Sequence, residues 1–362
     1  MKLNIISQKI FGGEFLSRDE ILFLYRNVSL PELMFLANEV RRRKHSENLV
    51  GWQIDRNVNI TNVCIAGCCF CNFSCKLSES EKSFTTGIED YAEKINELYK
   101  KGGDQLLLQG GLHPKYGLDF YRSLFSELKS RFPTLKLHAL GPPEIAHIAR
   151  LENKSYGYVL EKLVDAGLDS LPGAGAEILS DRVRKLLSPA KPDVKAWLDV
   201  MREAHRMNLP TSATMMFGHI ETIEERIEHL LLLRDLQAEK PDGNYGFLSF
   251  IPWTVQSNGT RLSKKYTVLP VYPSEYLRMI AISRIVLENI ENIQASWLTV
   301  GKDTAQMSLY AGANDFGSIM IEENVVASAG AKNRFDADGI RQAIIEAGFV
   351  PRKRNQKFET VC

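Results

Sequence analysis

The sequence predicts an α/β fold, a closed (β/α)8 barrel of the TIM type preceded by an N-terminal helical extension. Three observations carry this prediction. From about residue 54, short apolar runs bounded by turn residues alternate with longer amphipathic stretches. The connections between them are short, which calls for parallel strands joined by right-handed crossovers. The 362-residue chain contains no Gly/Ser-rich linker and no low-complexity segment that would divide it, and barrels of this class use a comparable length as one unit.

The first fifty residues read as helix: Ser17 precedes Asp19 and Glu20 as a cap, and 30–46 carries apolar residues at helical spacing. Strands are expected near 54–60, 104–109, 135–140, 168–171, 211–216, 246–252 and 293–297, with a weak eighth at 314–317. Helices are expected at 88–101, 117–131, 156–166, 193–207, 222–239, 273–288, 301–310 and 336–347. The eighth unit decides the class, and a six-stranded open barrel with extra C-terminal elements is the nearest alternative. Residues 1–50 are thus expected to form the extension and 51–362 a single globular unit. The basic segment PRKRNQK near the end reads as solvated.

Charge and hydropathy narrow the function. With 45 Lys+Arg against 44 Asp+Glu and a formal net charge of +1, no global field draws nucleic acid or an anionic membrane, so the expected partner is a small molecule. No apolar run reaches the roughly 18 residues of a membrane span. The start MKLNIISQKIFGGEF lacks the apolar core of a secretion signal. The cytoplasm is the expected compartment.

Five of the six cysteines fall within twelve residues, at Cys64, Cys68, Cys69, Cys71 and Cys75, while Cys362 stands alone. Such close neighbours make a poor disulfide framework and fit metal binding better. The segment NITNVCIAGCCFCNFSC follows the first barrel strand directly, at the strand end where barrel enzymes place their chemistry. Cys64, Cys68 and Cys71 form C-x3-C-x2-C, whose short spacing lets one loop wrap a compact inorganic cluster. Three ligands on a four-iron cluster leave one iron open to a substrate or cofactor. Structural zinc, which usually takes two separated ligand pairs, and a group of buried thiols are the alternatives.

This pattern, with Phe70 just before the third cysteine, resembles the radical S-adenosylmethionine (SAM) superfamily. The resemblance implies a [4Fe–4S] cluster on Cys64, Cys68 and Cys71, SAM chelated at the open iron, and Phe70 beside the adenine. It further implies an external electron donor such as flavodoxin or ferredoxin, and reductive cleavage of SAM to methionine and a 5′-deoxyadenosyl radical. Cys69 and Cys75 have no place in the motif and read as packing thiols.

Four further segments carry candidates. In LLLQGGLHP (106–114) two glycines permit a close backbone approach, and the resemblance assigns Gln109, Gly110 and Gly111 to the SAM amino group. His113 follows as a candidate acid/base group. In SLPGAGAEIL (170–179) the resemblance points Glu177 at the SAM ribose, whereas complementing a helix dipole is the plain reading. Arg184 is a candidate for binding a carboxylate bidentately. In SATMMFGHIET (212–222) the motif carries over to Met216, Gly218 and Glu221 against the adenine better than to Thr214, which replaces a glycine. Core packing is the alternative for Met215 and Met216. His219 and Glu221 form either a proton-handling pair or a loop brace. Trp253, in the sixth-strand FIPWT, is placed to wall a pocket against an aryl ring or to cap the core.

Together with the late ANDFGSIMIEENV, these segments resemble a narrower group of radical SAM enzymes in menaquinone and deazaflavin biosynthesis, over about residues 50–355. FIPWT and SWLTVGKDTAQMSLYAGANDFG look most like the members that cyclise dehypoxanthine futalosine. The relatives that make aminofutalosine, or that join tyrosine to a pyrimidine, are the alternatives. The cyclisation needs a base for a ring proton, and His113, His219, Glu144 and Glu177 are the candidates.

Overall fold

The structure, a computed structural model, describes residues 2–361; Cys362 lies outside them. Three helices come first: α1 (Lys2–Gly12), α2 (Arg18–Asn27) and α3 (Leu30–Lys44). Ser17 caps α2 as expected, accepting from the Glu20 N–H while the Glu20 carboxylate accepts from the Ser17 N–H, and Ser29 with Glu32 repeats the arrangement on α3. The alternating part then runs β1 (Leu49–Gln53), β2 (Asp55–Asn59), α4 (Ile88–Lys100), β3 (Gln105–Gln109), α5 (Leu118–Arg131), β4 (Lys136–Ala139), α6 (Pro142–Glu152), α7 (Tyr156–Asp165), α8 (Asp181–Leu187), α9 (Val194–Arg206) and β5 (Thr211–Phe217). It continues as α10 (Ile223–Glu239), β6 (Phe247–Thr254), α11 (Arg261–Lys265), α12 (Pro273–Val286), β7 (Asn292–Ile293), α13 (Trp297–Val300), α14 (Lys302–Ser308), β8 (Asp315–Ser318), α15 (Ala337–Glu346) and β9 (Val350–Lys353).

The strands do not form the one continuous closed sheet that was expected. They make three parallel three-stranded sheets, in the orders β8-β1-β9, β2-β3-β4 and β5-β6-β7. Single parallel bridges at Arg56–Ile321, His138–Ser170, Leu171–Thr211 and Gln294–Asp315 join neighbouring sheets. The physical reasons are local. The expected strand at 168–171 is reduced to bridges at Ser170 and Leu171, because Pro172 follows and has no N–H to extend a ladder. The expected strand at 293–297 is cut to two residues because α13 begins at Trp297.

The segment read as a solvated tail is not solvated. Its start pairs as β9 with β1, and Arg354 is buried, donating to both carboxylate oxygens of Asp315 and to the Gln53 side chain. One apolar core links α1, through Ile6, to Phe349 before β9. Within it the α3 face of Leu33, Leu36, Ala37 and Val40 is buried, and the Arg41 Nε donates to the Ala313 carbonyl at 2.9 Å. Among the described residues no helix is long and apolar enough to cross a membrane.

Candidate functional site

A cavity of about 380 Å³ opens at the C-terminal ends of β2 and β3 and runs down between the strands. Its mouth is the cysteine loop. The loop leaves β2 at Ile60 and is closed at its base by short-range ties. Cys64 and Cys75 N–H groups donate to the Cys75 and Asn62 carbonyls, and the Asn62 and Thr61 side chains hold Lys82 and Phe84. Gly111 is what lets β3 come this close: a Cβ there would sit 2.2 Å from the Val63 oxygen and 2.8 Å from the Cys64 Cβ. The two glycines after Gln109 therefore receive the cysteine loop, and Gln109, Gly110 and Gly111 all line the cavity.

Cys64, Cys68, Phe70 and Cys71 face the cavity, whereas Cys69 and Cys75 do not. The Cys64 sulfur accepts from the Ala66 and Leu112 N–H groups at 3.4 and 3.3 Å. Burial pushes the Cys64 and Cys68 thiols up, so ionising them requires a compensating cation or metal. Among the described residues no three His, Cys, Asp or Glu side chains converge on one ion-sized point. A four-iron cluster spreads its thiolates over separate irons and requires no such convergence.

Beside the thiols stands an ion pair that sequence reasoning missed in half. Lys191 Nζ lies 2.5 Å from Glu177 Oε1, and both side chains are nearly sealed from solvent. Burial opposes the Glu177 charge, yet Lys191 holds its carboxyl below the usual range. Burial likewise opposes the Lys191 charge, while Cys68 and Glu177 keep it protonated. Lys191 also sits 5.6 Å from the Phe70 ring centre. The signal was present as PAKPD, one lysine bracketed by prolines, but nothing in spacing tied it to Glu177.

Arg184 takes a different part from the one expected. Its guanidinium is buried and donates to the carbonyls of Gly175, Ala176 and Pro192. It is fully used in bracing the two arms that carry Glu177 and Lys191, and does not reach the cavity. Gly175, at the hinge of the first arm, has φ +70° and would place a Cβ 2.3 Å from Pro143.

The fifth-strand candidates also lie outside the cavity. Met216 is buried, its N–H donating to the Glu177 carbonyl, so that segment covers it. Gly218 and His219 give their N–H groups to the Glu221 carboxylate, which also meets Arg226. Burial opposes this charge, but His219 and Arg226 press the Glu221 carboxyl down to about 2. His219 Nε2 faces the Met216 carbonyl at 3.0 Å, and its Nδ1 lies 2.8 Å from Glu221 Oε2 and 2.8 Å from the Ile220 nitrogen, so the structure does bring His219 and Glu221 together. Both ring nitrogens are occupied, as in a loop brace. Thr214 and Ser212, discounted or unremarked in the sequence, line the cavity instead.

His113 is buried but turned aside. Its ring stacks on Tyr116 with centres 3.6 Å apart and its Nδ1 accepts the Lys115 N–H. Burial, then Lys115 and His147, push its pKa down. Glu144 does line the cavity, at the third position of α6. Its Oε2 is buried without a partner, and burial raises the carboxyl to about 7. The same cavity is lined by the polar side chains of Asp55, Asn57, His138 and Ser249 and by the indoles of Trp253 and Trp297.

Comparison with known proteins agrees with this geometry. Residues 58–233 match the Radical SAM superfamily, and residues 244–361 match the CofH/MqnC C-terminal region. Cyclic dehypoxanthine futalosine synthase of Streptomyces coelicolor is 42% identical over 98% of this chain and 88% of its own. The protein of that name from Halalkalibacterium halodurans is 36% identical over 100% of this chain and 95% of its own. Among solved structures, methylornithine synthase (PylB) superposes with a TM-score of 0.70 at 19% identity, covering 97% of this chain and 98% of that one. The chain belongs to the radical SAM superfamily, and within it to the branch that carries the CofH/MqnC C-terminal region. It is a radical SAM enzyme, and its cofactors are a [4Fe–4S] cluster and SAM.

Proposed function

We propose that this enzyme cyclises dehypoxanthine futalosine to its spirocyclic product on the futalosine route to menaquinone. One observation carries the reading beyond the two relatives of that name. The cavity that the thiols line is also lined by polar side chains, Asp55, Asn57 and Ser249, and by two indoles, Trp253 and Trp297. A substrate that is half ribose and half benzoate asks for those two surfaces.

Cys64, Cys68 and Cys71 are the residues that would hold the cluster, with Phe70, Gln109, Gly110, Gly111 and Glu177 toward SAM. When bound, the pair supplies a carbon-centred radical able to take the C4′ hydrogen of the substrate ribose. The chain's own part is to orient, to exclude water and to move one proton. The Glu177–Lys191 pair presents one anionic and one cationic group beside the thiols, suited to a ligand carrying hydroxyls and a carboxylate. Trp253 and Trp297 supply apolar aromatic surface for the benzoate ring. The ring, once joined to the ribose carbon, must lose a proton to a base and one electron to an external one-electron carrier to regain aromaticity. Glu144, the free buried carboxyl, accepts the proton, since His113, His219 and Glu177 are engaged elsewhere.

The four bridges between sheets support reading the strands as arcs of one (β/α)8 ring, with residues 1–50 as an extension on a single unit. An external one-electron donor and a cytoplasmic setting complete the proposal. The test is anaerobic reconstitution with iron and sulfide, reduction with SAM and dehypoxanthine futalosine, and mass spectrometry. A product lacking two hydrogens, absent with Cys68→Ala, is expected. 5′-Deoxyadenosine without substrate conversion overturns the substrate assignment, and conversion of tyrosine with a pyrimidine replaces it.

A further inference from the structure

We propose that the surface formed by α8 and α11 around the cysteine loop docks a small acidic one-electron carrier protein; this rests on the reading that the loop holds a cluster charged from outside. The tip of the loop, Gly67–Cys68–Cys69, is clasped by these two helices and nothing else of comparable regularity. The Cys69 N–H donates to the Leu187 carbonyl at the end of α8, at 2.8 Å, and the Leu262 N–H of α11 donates to the Cys69 carbonyl, also at 2.8 Å. Arg261 Nη2 reaches the Gly67 and Cys68 carbonyls at 3.1 and 3.2 Å. The loop tip that carries Cys68 is therefore tied by direct hydrogen bonds to two helices whose outer faces are in solvent.

The outer faces of the same helices are basic. Alpha-11 reads RLSKK, and Arg261, Lys264 and Lys265 are all exposed. Alpha-8 adds exposed Arg182 and Lys185, and its one acid, Asp181, is engaged with the Val194 N–H. Glu225 neutralises Arg182, but among the described residues Lys185, Lys264 and Lys265 form no ion pair. On a chain whose net charge is only +1, this is local excess positive charge, placed beside the loop that carries the ligands. Leu186, 39% exposed, lies among these cations as an apolar contact point. A basic rim with a small apolar spot fits an acidic carrier that docks transiently, with electrostatics setting the encounter rate.

The experiment uses the full reconstituted enzyme with reduced acidic flavodoxin as the probe donor, and dithionite as a donor that needs no docking. Cluster reduction is followed by electron paramagnetic resonance, and binding of oxidised flavodoxin by calorimetry. Lys264→Glu/Lys265→Glu is compared with Lys100→Glu/Lys101→Glu, which sits where α4 leads into the start of β3, at the opposite end of the strands. The proposal expects the first variant to raise the half-saturating flavodoxin concentration roughly tenfold at low salt. It should also weaken the salt dependence expected of wild type, with dithionite reduction unchanged. Equal saturation by flavodoxin in both variants overturns it. Loss of dithionite reduction in wild type would instead overturn the cluster reading on which the proposal stands.

Discussion

Glu144 and Lys191 are the two cavity-lining titratable residues of which the proposed function asks most, and each makes a different demand on its surroundings. Glu144 has no cation of its own and is held near neutral, at about 7, by burial. Its base form gains population as pH rises through that value, so cyclisation should climb over the same range. Glu144→Gln should lower cyclisation by roughly 10²-fold and remove the rising limb, while 5′-deoxyadenosine still forms. A Gln variant with an unchanged pH profile would exclude the assignment. Stability moves the other way. A carboxyl whose folded pKa exceeds its unfolded value favours the fold at low pH, and that contribution fades as pH rises through about 7. Urea unfolding at pH 8 should therefore find Glu144→Gln more stable than wild type, by up to about 3 kcal/mol. Lys191, by contrast, exists as half of a pair. Lys191→Met leaves Glu177 buried and unmatched and should destabilise by about 3 kcal/mol, whereas Lys191→Met/Glu177→Gln should recover most of it. A double variant as unstable as the single would show that the pair is not the unit. The cysteines were legible because three thiols at C-x3-C-x2-C spacing fall within eight residues. Lys191 was not, because a loop closed by tertiary contacts brings it to Glu177.

At the scale of elements, periodicity was a good guide wherever a segment has one wet and one dry face. Alpha-4, α9 and α10 lie within a residue or two of where their apolar spacing puts them. Alpha-6 was missed because it begins Pro142-Pro143, a pair that reads as a turn although proline is well placed in a first helical turn. The fourth strand was overextended because its apolar residues give no sign that Pro172 stops the ladder. Arg184 shows how an element can serve a site without entering it. From α8 it ties Gly175 and Ala176 to Pro192, and so fixes the distance between Glu177 and Lys191. Arg184→Ala leaves one buried and two partly buried carbonyls without this donor and should destabilise by about 2–3 kcal/mol. Hydrogen exchange should quicken across 175–192 in particular. Arg184→Lys, a point donor in place of a planar fork, should restore little. Uniform exchange in the variant would mean that the brace is not local.

For the whole molecule the question is what closes the lower end of the cavity, and the answer was the least visible part of the sequence. Read alone, PRKRNQK is a run of charge, and charge runs are usually solvated. In the fold, β9 lies beside β1, which is itself paired to β8, so the chain's last strand completes the sheet that its first strand began. Arg354, just beyond β9, then points inward, its guanidinium on Asp315 of β8 and on Gln53 of β1, with the Phe358 ring 3.8 Å away. Gln356 and Phe358 close the floor of the cavity. The next ring inward, Asp55 with the Ser318 hydroxyl and His138 with Ser170, is polar and faces the chamber. Burial and Arg354 push His138 down to about 3, so it stays neutral there. This arrangement makes the tail part of the cavity lining as well as of the fold. Arg354→Met should leave Asp315 buried and unpaired and destabilise by about 3–5 kcal/mol, whereas Arg354→Met/Asp315→Leu should regain most of that loss. If the double variant recovers in thermal unfolding but not in cyclisation, the floor itself shapes the chamber. If both variants match wild type in stability, the buried pair is not what fastens the end of β9 to β8 across β1.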